Sequence, residues 1–234
     1  MKIEVWSDYV CPFCYIGKRQ LEKSIKDSGF EGQIEVELKS FLLDPTTPLD
    51  TNNSVYASLS KKFNISENQA KEMTKNVAER AKEVGLQYNF DFMKEANTTS
   101  AHRLAKWANT KGKGEQLSER ILQSYFLEGG AIGKQEVLLK LVEEVGLDKE
   151  EALEVLKSEK FVDKVEQDIS EAQNLGVRGV PFFVIDNKYG ISGAQPKDVF
   201  DQAITKAADE AGLKPRIKMV GESGEICADG QCDL

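Results

Sequence analysis

The residues best suited to chemistry are two cysteines near the N-terminus, Cys11 and Cys14, in the stretch DYVCPFCYIG. A Cys-x-x-Cys pair is typical of half a zinc site or of a redox centre that alternates between dithiol and disulfide. Pro12 suits the first position of a helix, where its missing N–H costs nothing. A helix starting there would direct its positive end at Cys11 and stabilise a thiolate. Cys11 is therefore the predicted nucleophile, and Cys14, one turn later on the same face, the predicted resolving thiol.

A strand, a helix and a second strand are predicted around this pair. The residues KIEVW predict a strand near 2–6. After the cysteines, apolar residues keep helical spacing until Gly29, a residue type common at helix ends. Apolar and charged residues then alternate over 34–38. The order strand, helix, strand indicates an α/β sheet, with the cysteines at a strand-to-helix junction.

A long helical segment interrupts this pattern. The stretch LLDPTTPLDTNN is typical of a linker, and from about residue 66 to 175 apolar residues recur at intervals of three and four. Strand character returns only at VPFFVI, before a turn at Asp186-Asn187, a short strand and a last helix. The sequence therefore predicts an α/β fold split by an all-helical insertion. The predicted boundaries are 1–44 and 176–213 for the two parts of the α/β domain, 45–175 for the insertion and 214–234 for a C-terminal tail.

The composition is that of an acidic globular protein, with 40% hydrophobic and 30% charged residues and a net charge of -8 over 234 residues. Because phosphate binding needs clustered Lys and Arg, nucleic acid is not expected as a partner. No apolar run approaches the roughly 18 residues of a membrane span, and no apolar leader follows Met1. We therefore expect a cytoplasmic protein without a membrane partner. Thiols are kept reduced in that compartment, which favours catalysis or metal binding over a structural disulfide.

Three motifs carry a family resemblance: WSD before CPFCYIG, TSAHR at 99–103 within the helical segment, and GVRGVPFFVI at 176–185 followed by SGAQ. Together they resemble the DsbA family of thiol-disulfide oxidoreductases, and within it the cytoplasmic FrnE-like branch. The likeness spans about residues 1–210. It implies a thioredoxin-like fold interrupted by a helical insertion domain, and disulfide exchange with protein or small-molecule disulfides.

The resemblance also implies which residues bind substrate. In thioredoxin-like folds the proline at the position of Pro181 is cis and lies beside the cysteine pair, and the residue before it, here Val180, offers backbone groups to an extended peptide. Taken alone, the dipeptide would be an ordinary trans proline opening a strand. Phe13 and His102 are the other expected substrate contacts. For His102, a hydrogen-bonded position on a helix face is the alternative.

The chain departs from its periplasmic relatives at Phe13, where they carry a histidine. Phenylalanine cannot donate a hydrogen bond to a thiolate, so we expect the reductase or isomerase direction. No cofactor beyond the redox-active pair and no metal is expected, and glutathione is a candidate for the cellular thiol reductant. Glu4 and Asp8 are candidates for the buried carboxylate that helps to deprotonate the resolving thiol in thioredoxin-like enzymes. Either carboxylate would otherwise simply be solvated.

A second cysteine pair lies in the tail, where Cys227 and Cys232 are separated by ADGQ. Gly230 permits a turn that would bring the two sulfurs within disulfide range. We expect an auxiliary redox pair that exchanges electrons with the Cys11 pair. A regulatory disulfide and two inert thiols in a disordered tail are the alternatives.

Two other functions stay open on the sequence. Glutathione-dependent isomerases of the 2-hydroxychromene-2-carboxylate type and kappa-class glutathione transferases share the split fold, but they typically have serine at the position of Cys11 and lack a resolving thiol. A non-catalytic zinc or partner-binding module would bind metal and would not need Cys11 for activity. The presence of both Cys11 and Cys14 favours the oxidoreductase.

Overall fold

A computed structural model describes residues 1–49 and 51–216, together with the backbone of 227–228 and 231–232. Its strands are β1 (Lys2–Ser7), β2 (Glu35–Ser40), β3 (Phe182–Ile185), β4 (Tyr189–Ser192), β5 (Cys227–Ala228) and β6 (Gln231–Cys232). Its helices are α1 (Pro12–Ser28), α2 (Val55–Phe63), α3 (Glu67–Glu83), α4 (Thr99–Thr110), α5 (Gly114–Glu128), α6 (Gln135–Glu144), α7 (Lys149–Lys157), α8 (Val162–Asn174) and α9 (Lys197–Glu210).

The central sheet has the strand order β2-β1-β3-β4. Strand β1 runs parallel to β2, with Ile3 opposite Val36, and antiparallel to β3, with Ile3 opposite Ile185. Strands β3 and β4 form an antiparallel hairpin. Its turn residues Asp186 and Asn187 both have positive φ, which is the conformation that tight two-residue hairpins require. The α/β fold split by helices is confirmed, since α2 to α8 all lie between β2 and β3 in the chain.

Helix α1 begins and ends as its sequence predicts. Cys11 is the N-cap residue with extended backbone angles, and Pro12 occupies the first helical position. Gly29 ends the helix in the left-handed conformation, with φ 78°. The junction between β1 and α1 therefore places both cysteines in the first turn of a helix that packs against the sheet.

The helical insertion contains one helix that the sequence pattern did not predict. Helix α2 has nine residues, none of them fully buried, and it lies between the predicted linker and the long helical run that starts near residue 66. Its N-cap Ser54 accepts a hydrogen bond from the backbone N–H of Ala57. Ser66 and Gln69 form a capping box at the start of α3.

Two main apolar clusters divide the fold, and α1 contributes to both. One cluster fills the space between the sheet and helices α1 and α9, and includes Ile3, Leu21 and Phe200. The other forms the core of the helical insertion and includes Tyr15 and Ile16 of α1. Because α1 buries opposite faces in the two cores, the insertion is fixed against the helix that carries the cysteines.

A buried carboxylate joins the insertion to the edge of the sheet. Asp168 of α8 is 4% exposed, and it accepts a hydrogen bond of 2.6 Å from the backbone N–H of Ser40 in β2. The same carboxylate forms ion pairs with Lys106 of α4 and, at 3.7 Å, with Lys39 of β2. The backbone oxygen of Asp168 accepts a 2.8 Å bond from the Trp6 indole N–H. Strand β2 and helices α4 and α8 are therefore held together through one side chain.

Among the residues that the structure describes, no helix combines the length and apolarity needed to cross a membrane. The backbone of β5 pairs antiparallel with β6, which places Cys227 opposite Cys232 in register.

Candidate active site

Cys11 lies where a helix, a strand and a loop meet. Its backbone N–H donates to the carbonyl of Asp8 at 3.1 Å, and its carbonyl accepts from the N–H of Cys14 at 3.0 Å. Its sulfur is 3.4 Å from the carbonyl oxygen of Val180, which belongs to the other part of the split domain. Cys11 and Cys14 are both free thiols. The free N–H groups of the first turn of α1 favour negative charge at this position.

Cys14 is the more deeply buried of the two thiols, with 2% of its surface exposed. Burial is the main cause that raises the pKa of Cys14 well above its usual value, and contact with the Cys11 thiol raises it further. Hydrogen bonds from the Ser7 side chain and the Asp8 backbone to the sulfur act in the opposite direction on this pKa. Cys14 is therefore mainly protonated at neutral pH, and Ser7 and Asp8 favour the thiolate that it must form to react.

The Val180–Pro181 peptide bond is cis, as the family resemblance implied. Pro181 packs close to α1, because a Cβ atom placed on Gly17 would lie 3.2 Å from the Pro181 ring and 2.9 Å from the ring of Phe183. This close approach of helix and strand is possible only with glycine at position 17. It brings the loop that ends in Pro181 against the helix turn that follows the cysteines.

Two residues of the insertion hold the dipeptide between the cysteines. The Tyr88 hydroxyl donates a 2.7 Å hydrogen bond to the carbonyl of Pro12. The guanidinium of Arg80, in α3, lies over the ring of Phe13, 5.1 Å from the ring centroid. This distance is typical of a cation–π contact. Arg80 also donates to the carbonyl of Ala194, in the loop after β4, at 3.1 Å. Sequence reasoning missed Tyr88 and Arg80, since they lie about 70 residues away and belong to no motif.

Asp8 is buried, with 1% of its surface exposed, and its carboxylate binds several groups. Its carboxylate accepts hydrogen bonds from the backbone N–H of Leu43 at 2.8 Å and from the Thr98 hydroxyl at 2.7 Å. The His102 ring nitrogen Nε2 lies 3.3 Å from the same carboxylate. Its ring also contacts Tyr9, with 4.6 Å between the centroids. Both Asp8 and His102 are thus buried and paired, whereas Glu4 pairs with Lys2 and Lys39 on the sheet.

A cavity of about 390 Å³ reaches Cys14 from the side of β2. Cys14, His102 and Ser118 line it together with apolar side chains such as Val5 and Leu38 and with several lysine and glutamate side chains. Cys11 and Val180 do not border it. Cys14 is therefore reached from a different side than the one on which Cys11 faces Val180.

The structure brings together most of the residues expected at the site. Cys11, Cys14, Val180, Pro181 and Phe13 converge at the N-terminus of α1. His102 lies behind the cysteines, against Asp8, rather than beside Val180. The side chains of the auxiliary pair, Cys227 and Cys232, lie outside the described residues. Within residues 1–49 and 51–216, no group of three or more His, Cys, Asp or Glu side chains is arranged to hold a metal ion.

A cysteine pair at the N-terminus of the helix after β1, facing a cis proline across a split α/β domain, is the site of a thioredoxin-like disulfide-exchange protein. Comparison with known families agrees: the model of the DSBA-like thioredoxin domain matches residues 2–205. The chain belongs to this family, whose members exchange disulfides.

Individual proteins with the same organisation are also known. The uncharacterized protein YwbO of Bacillus subtilis is 32% identical over 207 residues, which cover 87% of this chain and 95% of YwbO. The crystal structure of the probable DsbA oxidoreductase SCO1869 from Streptomyces coelicolor has 35% identity and a TM-score of 0.86, and covers 100% of this chain and 99% of that one. A 2-hydroxychromene-2-carboxylate isomerase shares the fold at 14% identity, with a TM-score of 0.66 over 92% of this chain and 100% of that one.

Proposed function

We propose that the protein catalyses thiol-disulfide exchange through Cys11 and Cys14. In the first step the Cys11 thiolate attacks one sulfur of a substrate disulfide. A bond forms between that sulfur and Cys11, the substrate S–S bond breaks, and the other substrate sulfur leaves as a thiolate that takes up a proton. The observation that carries this proposal is the position of Cys11, which caps α1 and has its sulfur 3.4 Å from the Val180 carbonyl.

In the second step Cys14 resolves the mixed disulfide. Its thiolate attacks the Cys11 sulfur, the bond to the substrate breaks, and the substrate leaves with two added electrons while Cys11 and Cys14 form a disulfide. The proton of Cys14 must leave first, because the thiolate is the nucleophile. We place the exit of this proton in the cavity that Cys14 shares with Ser7 and His102.

Substrate binding is proposed at the rim where Val180 meets Cys11. The Val180 carbonyl accepts from the Cys11 thiol before reaction and is free to accept from a substrate backbone N–H once the sulfur has reacted. Phe13 provides an apolar surface beside the nucleophile. Protein disulfides and small disulfides are both within this substrate class.

The proposed direction is that of a reductase or isomerase. A strongly oxidising centre needs a stabilised thiolate in its reduced form. Here Phe13 offers no donor between the cysteines, and burial raises the pKa of Cys14. A cellular thiol such as glutathione would then return the disulfide to the dithiol. Membership of the FrnE-like branch, a cytoplasmic location and electron exchange with Cys227 and Cys232 are part of the same proposal.

Turnover of a model protein disulfide by three proteins tests this function. Wild-type protein with dithiothreitol as reductant is expected to reduce insulin disulfides, and Cys11→Ser to lose that activity. Cys14→Ser is expected to accumulate a mixed disulfide with substrate. Activity that persists in Cys11→Ser would refute the mechanism, and absence of turnover in the wild type would favour glutathione-dependent isomerisation instead.

A further inference from the structure

Arg80 is placed beside the reactive cysteines by two contacts that belong to different parts of the chain. Its guanidinium lies 5.1 Å from the centroid of the ring of Phe13, the residue that stands between Cys11 and Cys14 in the sequence. One of its N–H groups donates to the Ala194 carbonyl at 3.1 Å. Arg80 itself belongs to α3 of the helical insertion. The residue therefore bridges the insertion, the first turn of α1 and the loop after β4.

That loop is tied to the cis proline. The backbone N–H of Gly193 donates to the carbonyl of Pro181 at 2.8 Å, and the N–H of Gln195 donates to the carbonyl of Gly193 at 3.0 Å. Ala194, which accepts from Arg80, lies between these two residues. A group that contacts both Phe13 and Ala194 thus lies between the first turn of α1 and the loop that is hydrogen-bonded to Pro181.

Within the described part of the chain, Arg80 contacts the Phe13 ring and the Ala194 carbonyl, and no carboxylate pairs with its charge. The neighbouring Glu79 pairs instead with Lys82 at 2.9 Å. Arginine has five N–H donors in a planar fork that matches a carboxylate, and only one is used here. The side chain is exposed, so the remaining donors are available to a ligand.

We infer that Arg80 is a specificity-determining residue that favours disulfides carrying a carboxylate close to the reacting sulfur. The inference rests on the proposed function, because it names the substrate charge that the same site prefers. A protein with net charge -8 repels anionic substrates overall, and a cation fixed beside the cysteine pair offsets this repulsion there. Phe13 keeps the guanidinium in place without neutralising it.

The expected effect is modest, because the pair would be exposed to water. Exposed ion pairs are worth about 0.2–1 kcal/mol, which corresponds to a rate ratio of about 1.4- to fivefold. A bidentate contact would give the upper part of this range. Added salt screens exposed charges, so the preference must shrink as ionic strength rises toward about 1 M.

Three small disulfides of similar length and different charge provide the test: dithiodipropionate, which is anionic, hydroxyethyl disulfide, which is neutral, and cystamine, which is cationic. We would measure the rate constant at which each oxidises the reduced wild type, Arg80→Gln, Arg80→Lys and Lys75→Gln. Lys75→Gln is the matched control, since it removes one exposed positive charge from the same helix and leaves the Glu79–Lys82 pair beside Arg80 intact. Arginine and lysine carry the same charge, so Arg80→Lys tests the paired donors of the guanidinium.

The Arg80→Gln variant is expected to lose about two- to fivefold in the ratio of anionic to cationic rates. The rate with the neutral disulfide should be nearly unchanged, Lys75→Gln should match the wild type, and Arg80→Lys should keep part of the preference. An unchanged ratio in Arg80→Gln, or an equal loss in Lys75→Gln, would overturn the inference. Reaction of the wild type with hydroxyethyl disulfide separates the two claims: its absence would refute the proposed function, whereas its presence with no charge dependence would refute only the role of Arg80.

Discussion

Replacement of Ser7 by alanine tests how Cys14, the proposed resolving thiol, becomes reactive. Ser7 ends β1, and its side chain donates a hydrogen bond to the sulfur of Cys14. Its backbone carbonyl accepts from the N–H of Phe41 at 3.0 Å, a bond that alanine retains. The substitution therefore removes one donor from the Cys14 sulfur and leaves the strand intact.

The size of the effect follows from the protonation of Cys14. Burial raises its pKa above the ordinary 9.0, so at pH 7 less than about 1% of it is thiolate. In the mixed disulfide the contribution of the Cys11 thiol to this pKa is lost, and we expect burial, its largest cause, to persist. A hydrogen bond to a charged acceptor is worth about 1.5 kcal/mol, which corresponds to about one pKa unit. Ser7→Ala should raise the pKa of Cys14 by that amount. Because a thiolate of higher pKa is also more nucleophilic, resolution at neutral pH should slow by about three- to fourfold rather than tenfold.

The assay follows release of thionitrobenzoate from its mixed disulfide with Cys11, by stopped-flow absorbance between pH 6 and 9. Below the pKa of Cys14, the rate should rise about tenfold per pH unit, because the thiolate fraction rises in that proportion. Ser7→Ala should give a parallel line at lower rates, and Ser7→Thr, which keeps a hydroxyl, should stay near the wild type. A rate independent of pH, or equal rates for Ser7→Ala and wild type, would refute this account of Cys14.

Three further substitutions test other parts of the structure. Phe13→His adds a hydrogen-bond donor that stabilises the thiolate of the reduced protein. The reduction potential of the cysteine pair, measured in glutathione buffers, should therefore rise by about 30 mV or more, and no rise would contradict the proposed role of position 13. Gly17→Ala gains about 1 kcal/mol of helix propensity, but the added methyl group presses on the Phe183 ring at an overpacking cost of about 1–3 kcal/mol. The urea concentration at the unfolding midpoint should therefore fall, and a rise would contradict the close approach of α1 to β3. Asp168→Ala removes the ion-pair partner of the half-buried Lys106 and the acceptor of the Ser40 N–H, and should lower the free energy of unfolding by about 3 kcal/mol. Glu143→Ala, at an exposed pair, should cost less than about 1 kcal/mol, and equal losses would contradict the buried network.

The parts of the fold that sequence predicts well are those specified locally. Pro12 and Gly29 delimit α1 because each has a backbone preference that suits only one end of a helix. The capping box of Ser66 and Gln69 marks the start of α3 in the same way. The proximity of Cys11 and Cys14 could be predicted because a spacing of three residues within one helical turn already determines it.

The remainder of the site depends on tertiary contacts. Arg80 and Tyr88 reach the dipeptide only because the insertion packs on α1, and neither position has a distinguishing residue type or spacing. Helix α2 was missed because it has only nine residues and directly follows the predicted linker, so its apolar spacing extends over little more than two turns. The cis state of Pro181 came from the family resemblance, since X-Pro bonds in folded proteins are cis in only about 5% of cases.

The most direct test of the central claim is the intact mass and peptide map of Cys14→Ser after brief reaction with a small disulfide such as hydroxyethyl disulfide. If Cys11 is the nucleophile and Cys14 the resolving thiol, one substrate thiol will remain attached at Cys11, and the wild type will instead form the Cys11–Cys14 disulfide without an adduct. An unmodified Cys11 in the variant, or a stable adduct on Cys11 in the wild type, would contradict the assignment of the two roles.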